Sequence, residues 1–116
     1  MNTPISFEIA KLLKEKGYDE SCNRWYHDMG MLGIPSMSIQ EFNDGGLPAP
    51  TIADVLMWLY EKHEYWCYSY TNGKIWYPCI QHKFGDMAIL SGKIGTFNSP
   101  TEAYEAAINY TLNNLI

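Results

Sequence analysis

The side chains best suited to nucleophilic or metal chemistry are three cysteines, Cys22, Cys67 and Cys79, and three histidines, His27, His63 and His82. A thiol beside an imidazole can be deprotonated and become a nucleophile, so a His/Cys pair is the form an active site would take in this chain. No GxSxG, phosphate-cradling loop or GxGxxG motif accompanies them. Structural zinc usually draws its ligands from two closely spaced pairs. Cys79 and His82 have such a spacing, but no second pair follows. His63-Glu64 does not open an HExxH motif, because Cys67 stands where the second histidine belongs. The cysteines are odd in number and form no CxxC pair, so free thiols packed as small hydrophobes are expected. The sequence therefore assigns no catalytic residue, no metal ligand and no cofactor, and a small His/Cys enzyme stands as the alternative to a binding role.

Aromatic residues carry the stronger signal. They make up 15% of the chain and include nine tyrosines. Asn72-Gly73 is a two-residue hairpin signal, since a type I′ turn wants positive φ at both central positions. Such a turn sets Thr71 against Lys74, Tyr70 against Ile75, Tyr68 against Tyr77 and Trp66 against Cys79. Side chains alternate along a strand, so Trp66, Tyr68, Tyr70, Ile75 and Tyr77 share one face. Tyr65, Cys67, Ser69, Trp76, Pro78 and Ile80 share the other. The small Cys67 and Ser69 suit close packing under helices, which turns Trp66, Tyr68, Tyr70 and Tyr77 outward as an amphipathic strip. Tyrosine and tryptophan are enriched at protein contacts, so the strip is the candidate binding site, for a protein partner or a homodimer. The rival reading is that the 28–50 loop or another strand covers it.

Helices must position this hairpin. The first is expected from a Thr3 cap and Pro4 through the stripe Ile5, Ile9, Leu12 and Leu13, ending at Gly17. A short strand is expected over Cys22–His27. The segment 28–50, rich in glycine and proline, reads as loop with a possible short element near Ser36–Phe42. Thr51 and Asp54 form a capping box for a helix over Ile52–His63, whose apolar residues recur at helical spacing. His63 closes that helix, where a partly charged imidazole favours the negative end of the dipole. Beyond the hairpin, short strands are expected at Met87–Leu90 and Ile94–Phe97. Ser99-Pro100-Thr101-Glu102 is a capping box with proline at the first helical position, opening a helix with Tyr104, Ala107, Ile108, Thr111, Leu112 and Leu115 on one face.

This order of elements, with ISFEIAKLLKEKGY at Ile5–Tyr18, Pro50-Thr51, Trp58-Leu59 through His63 and the segment Ser99–Ile116, resembles a group of small phage and mobile-element proteins of gut Bacteroidetes. The group has no established activity, so the resemblance brings no catalytic residue with it. It implies an accessory role in a mobile genetic element.

Length and composition set the frame. At 116 residues, with 47% hydrophobic and 18% charged side chains, the chain is expected to fold as a single globular domain over 1–116. A net charge of −5 with only eight Lys and Arg argues against a nucleic-acid binder, whose affinity comes from cations on phosphates. The aromatic face as a weak single-stranded nucleic-acid platform is kept as an alternative, although it lacks the basic groove such platforms use. No run approaches the ~20 apolar residues of a membrane span. Met1-Asn2-Thr3-Pro4 lacks the pattern of a secretory signal, so a soluble cytoplasmic protein is expected. The fold class expected is α+β, with three helices packed on one face of a small antiparallel sheet. The function expected is that of a non-enzymatic protein-interaction module.

Overall fold

A computed structural model describes residues 3–20, 25–26, 47–83, 85, 88–89 and 91–116. Helix α1 spans Phe7–Glu15, and Ser6 caps it by accepting the Ile9 amide. Thr3 and Pro4 do not start this helix, contrary to the sequence expectation. Pro4 instead bridges Thr51, with the Ile5 amide donating to Pro50 O at 3.0 Å and the Ile52 amide to Thr3 O at 2.9 Å. That short bridge ties the leads into α1 and α2 (Ile52–His63) together. Gly17 at φ 84° ends the first helix as expected, in the left-handed conformation that glycine accepts freely.

Strands β1 (Trp25–Tyr26) and β2 (Leu47–Pro48) pair as an antiparallel ribbon. The rest of the expected Cys22–His27 strand and the 28–46 loop lie outside the described residues. Helix α2 forms with both halves of the Thr51–Asp54 capping box. It passes directly into β3 (Tyr65–Thr71) through Glu64, at φ 66° and ψ 25°. With no loop between helix and strand, one left-handed residue makes the turn.

Strand β3 pairs antiparallel with β4 (Trp76–His82), and β4 pairs with β5 (Ala88–Ile89), giving the order β3-β4-β5. A four-residue helical turn, α3 (Ser91–Ile94), replaces the start of the second expected strand. Of that strand only Phe97 adds to the sheet, exchanging backbone bonds of 2.7 and 3.0 Å with Trp76. Helix α4 (Pro100–Asn114) closes the order. Ser99 accepts the Glu102 amide at 3.2 Å, which is half of the expected capping box. The reciprocal Glu102 bond to the Ser99 amide is not among the hydrogen bonds of the described residues.

The α+β class expected from the sequence holds, with four described helices in place of three. The helical layer also differs in detail. Helices α2 and α4 lie on β3 and β4, whereas α1 packs chiefly on α4 and β2. One hydrophobic cluster joins them: Ile5, Ile9 and Leu13 on the α1 side, Ile52, Val55, Leu56 and Leu59 from α2, Cys67 and Ile80 from the sheet, and Ala107, Ile108 and Leu112 from α4. Among the described residues no helix is long and apolar enough to cross a membrane.

Candidate functional site

The hairpin that carries the aromatic strip has a different register from the one a two-residue turn dictates. Thr71 faces Trp76, Tyr70 faces Tyr77, Tyr68 faces Cys79 and Trp66 faces Gln81. Only Gly73 has positive φ, at 101°, and Asn72 does not, so the type I′ turn is not formed. The Asn72 side chain is the reason. Its Oδ1 accepts the backbone amides of Lys74 and Ile75, both at 2.9 Å, and the backbone N–H of Asn72 donates to Ile75 O at 3.3 Å. An asparagine that caps two amides in this way favours an Asx-type turn, and the connection lengthens to residues 72–75. Thr71 Oγ1 locks it by donating to Ile75 O at 2.8 Å and accepting the Gly73 amide at 3.0 Å.

The slip changes every partner and no face. It moves the pairing by two residues, which is the side-chain period of a strand. Trp66, Tyr68, Tyr70 and Tyr77 therefore still share one face, joined by Cys79 and Gln81. Cys67, Ser69 and Ile80 share the face beneath the helices.

The four aromatic rings are not equally open. Trp66 is 39% exposed and Tyr70 50%, whereas Tyr68 and Tyr77 are half-buried. Tyr70 and Tyr77 stack across the strands with centroids 5.0 Å apart and planes 20° from parallel. Asn72 Nδ2 donates to the Tyr77 hydroxyl at 3.2 Å, so the turn residue also fixes one end of the strip. Between the open rings sits Cys79, only 1% exposed although it lies on the strip side of the sheet. Burial, and then the Cys79 thiol beside it, raise the Tyr68 hydroxyl above its ordinary pKa. The strip is thus open at Trp66 and Tyr70 and closed in between.

Two residues extend the site beyond the set read from the sequence. Tyr60 of α2 meets Trp66 edge to face at 5.6 Å, and Lys83 Nζ lies 5.1 Å above the Tyr60 ring. Tyr60 is an outer residue of the α2 pattern, and Lys83 follows β4 directly. Neither shows in the period-2 pattern of the hairpin.

Cys67 is buried, its Sγ 3.4 Å from Thr111 Oγ1, and burial pushes its thiol up to about 11. Such a thiol is protonated at neutral pH and is no nucleophile. His63 packs edge-on against Trp58 at 4.7 Å. Desolvation lowers its pKa, which works against the charged helix-end role expected of it. His82 Nε2 stands 3.7 Å from Glu64 Oε2 and packs edge-on against Tyr65 at 5.1 Å. Cys22 and His27 lie outside the described residues. Among those described, no three His, Cys, Asp or Glu side chains are placed to hold a metal ion.

A groove of 310 Å³ lies between α1 and α4, lined by Ser6, Glu8, Ile9, Phe97, Glu102 and Glu105, among others. Glu105 accepts the Ser6 amide at 2.8 Å, yet burial raises its pKa despite that bond. A smaller one of 190 Å³ is lined by Tyr18, Glu20, Asp54, Trp58 and Glu61. Both are edged with carboxylates. Compared with protein-family models, curated proteins and solved structures, the chain matches none.

Proposed function

We propose that this protein is a non-enzymatic interaction module that binds protein through the strip of Trp66, Tyr68, Tyr70 and Tyr77. The observation that carries the reading is the exposure of Trp66 and Tyr70 on one side of one strand, two of the three large hydrophobic side chains exposed among the described residues. Exposed aromatic rings grouped on one strand face are the kind of surface a partner covers. The rings are also held in place. Tyr70 is stacked on Tyr77, Tyr77 is held by Asn72, and Trp66 is propped by Tyr60. Side chains ordered in advance lose less entropy on binding. An accessory role in a phage or mobile element belongs to the same reading, and rests on the sequence resemblance alone.

The test is a pair of single substitutions, Trp66→Ser and Tyr70→Ser, each first shown by circular dichroism to be folded. Association is then followed by sedimentation of the chain alone and by binding of partners captured on the native chain. Both variants should lose at least tenfold in affinity. Folded variants that associate as well as the native chain would exclude the strip as the contact.

A further inference from the structure

We infer that Asn72 is a site of spontaneous covalent modification, deamidation through a cyclic imide with Gly73, which the folded turn holds in check and whose isoaspartyl product unfastens Tyr77. This chemistry is the chain's own and is independent of what the strip binds. Asn72 alone among the asparagines of the chain precedes a glycine. Without a side chain, Gly73 leaves its backbone nitrogen open to the neighbouring amide carbon. Asn72 and Gly73 are both exposed, so water reaches the pair.

The reacting atoms are joined through the Asn72 main chain, which makes the attack intramolecular. The Gly73 nitrogen bonds to Asn72 Cγ and loses its proton. The Cγ–Nδ2 bond breaks, and Nδ2 leaves as ammonia with that proton. One water then opens the imide. Cleavage between Cγ and the Gly73 nitrogen gives aspartate on an intact main chain. Cleavage at the Asn72 main-chain carbonyl gives isoaspartate, in which the main chain runs through Cβ and Cγ and gains a carbon.

Every group in that reaction is engaged in the folded turn. The Gly73 N–H donates to Thr71 Oγ1 at 3.0 Å. Asn72 Oδ1 accepts the backbone amides of Lys74 and Ile75, both at 2.9 Å. Nδ2 donates to the Tyr77 hydroxyl at 3.2 Å. The imide has neither the Gly73 N–H nor Nδ2, so its formation surrenders the first and last of these bonds outright. The Thr71 hydroxyl is itself fixed, because it donates to Ile75 O at 2.8 Å. The reaction therefore runs through a locally opened turn, and its rate follows the population of that opening.

The two products differ in what they do to the hairpin. Aspartate keeps an acceptor oxygen in place of Oδ1, and as a carboxylate it holds the Lys74 and Ile75 amides more strongly. The Tyr77 hydroxyl then donates where it had accepted. Isoaspartate has no such side chain. Its carboxylate sits directly on Cα, and the added main-chain carbon displaces the Lys74 and Ile75 amides from it. Tyr77 loses its anchor, and its stack on Tyr70 loses the tie to the turn.

The experiment incubates the whole chain at mildly alkaline pH, with and without urea. Peptide mapping by mass spectrometry and an isoaspartyl assay locate the new carboxylate. In urea, Asn72 should react before any other asparagine, and Gly73→Ala should slow it several-fold. In the folded chain it should react at least about tenfold more slowly than in urea. Thr71→Val, shown by circular dichroism to be folded, should react several-fold faster than the native chain, each taken as a fraction of its own rate in urea. The isoaspartyl form, separated by ion exchange, should lose hydrogen-exchange protection at the Lys74 and Ile75 amides, whereas Asn72→Asp should keep it.

Four results overturn the inference. Another asparagine reacting first in urea would remove the site. Equal rates in the folded chain and in urea would remove the hold. A folded Thr71→Val chain as slow as the native one would show that the turn bonds do not restrain Asn72. An isoaspartyl form with native protection at Lys74 and Ile75 would leave Tyr77 fastened.

Discussion

On one side of β3, Cys67 and Ser69 lie under α2 and α4. On the other, Trp66, Tyr68 and Tyr70 run beside Tyr77. Both sides alternate within seven residues of the same strand. The helix side is held by burial: Cys67 and Ile80 are sealed in the core, and the Cys67 thiol meets Thr111. The strip side is held by rings stacked on rings, with solvent beyond. The difference separates a side sealed in the core from one left partly open, and mutation can probe each side.

The largest effect should come from Ile80→Ala. Ile80 is fully buried opposite Cys67. Its truncation removes methylene groups and leaves a cavity that the flanking helices cannot fill, at about 2–5 kcal/mol in denaturant unfolding. A loss below about 1 kcal/mol would mean that this side is not the core.

The Cys67 thiol gives a pH test of the same side. Burial holds its pKa at about 11 against an ordinary 9.0, with the Thr111 hydroxyl opposing the shift. A group whose folded pKa is raised contributes stability that is complete below the unfolded value and is lost as pH rises through the folded one. Stability should therefore decline between pH 9 and 11, by on the order of 2–3 kcal/mol for this thiol. In Cys67→Ala that part of the decline should vanish, as measured by urea unfolding across the same range. An identical decline in both proteins would show that Cys67 is not the titrating group.

A smaller effect, with the opposite sign, is expected next door. Ser69 Oγ is fully buried and makes no hydrogen bond among the described residues. Thr111, also buried, donates to Ala107 O at 2.9 Å. An unsatisfied buried hydroxyl costs about 1–3 kcal/mol, whereas a paired one contributes about 1. Ser69→Ala should raise the unfolding midpoint, and Thr111→Val should lower it. A Ser69→Ala variant that loses stability would reveal a partner for the hydroxyl.

How much of this comparison the sequence carries depends on the range of the interaction. The division of β3 into two faces is legible, because it needs only the alternation of side chains and the small size of Cys67 and Ser69. The caps of α2 and α4 are legible for the same local reason. The register is not, because Asn72-Gly73 supports two turns and the choice lies with where the Asn72 amide oxygen bonds. The α1 start is misread because Thr3-Pro4 is a good local signal that loses to a long-range bridge with Thr51. Ile94–Phe97 has strand-like residues, but a helical turn at Ser91–Ile94 leaves only Phe97 beside Trp76. The partial closure of the strip over Cys79 depends on three-dimensional packing that no periodicity encodes.

That closure gives the smallest and most discriminating prediction. Tyr70 is half exposed, and its main contact is the stack on Tyr77. A cross-strand aromatic pair contributes about 0.2–1 kcal/mol, so Tyr70→Ser should cost no more than about 1 kcal/mol in dilute solution. Tyr68 is less open and lies opposite the buried Cys79, so Tyr68→Ser uncovers a thiol as well as removing a ring. It should therefore cost more than Tyr70→Ser. If Tyr70 lies at a contact between copies, its substitution becomes more damaging as the protein is concentrated, because binding to the native state adds to stability by mass action. Unfolding curves of native chain and Tyr70→Ser at two concentrations separate the cases. A gap that widens with concentration places Tyr70 at a contact between copies, and a fixed gap confines it to the stack on Tyr77.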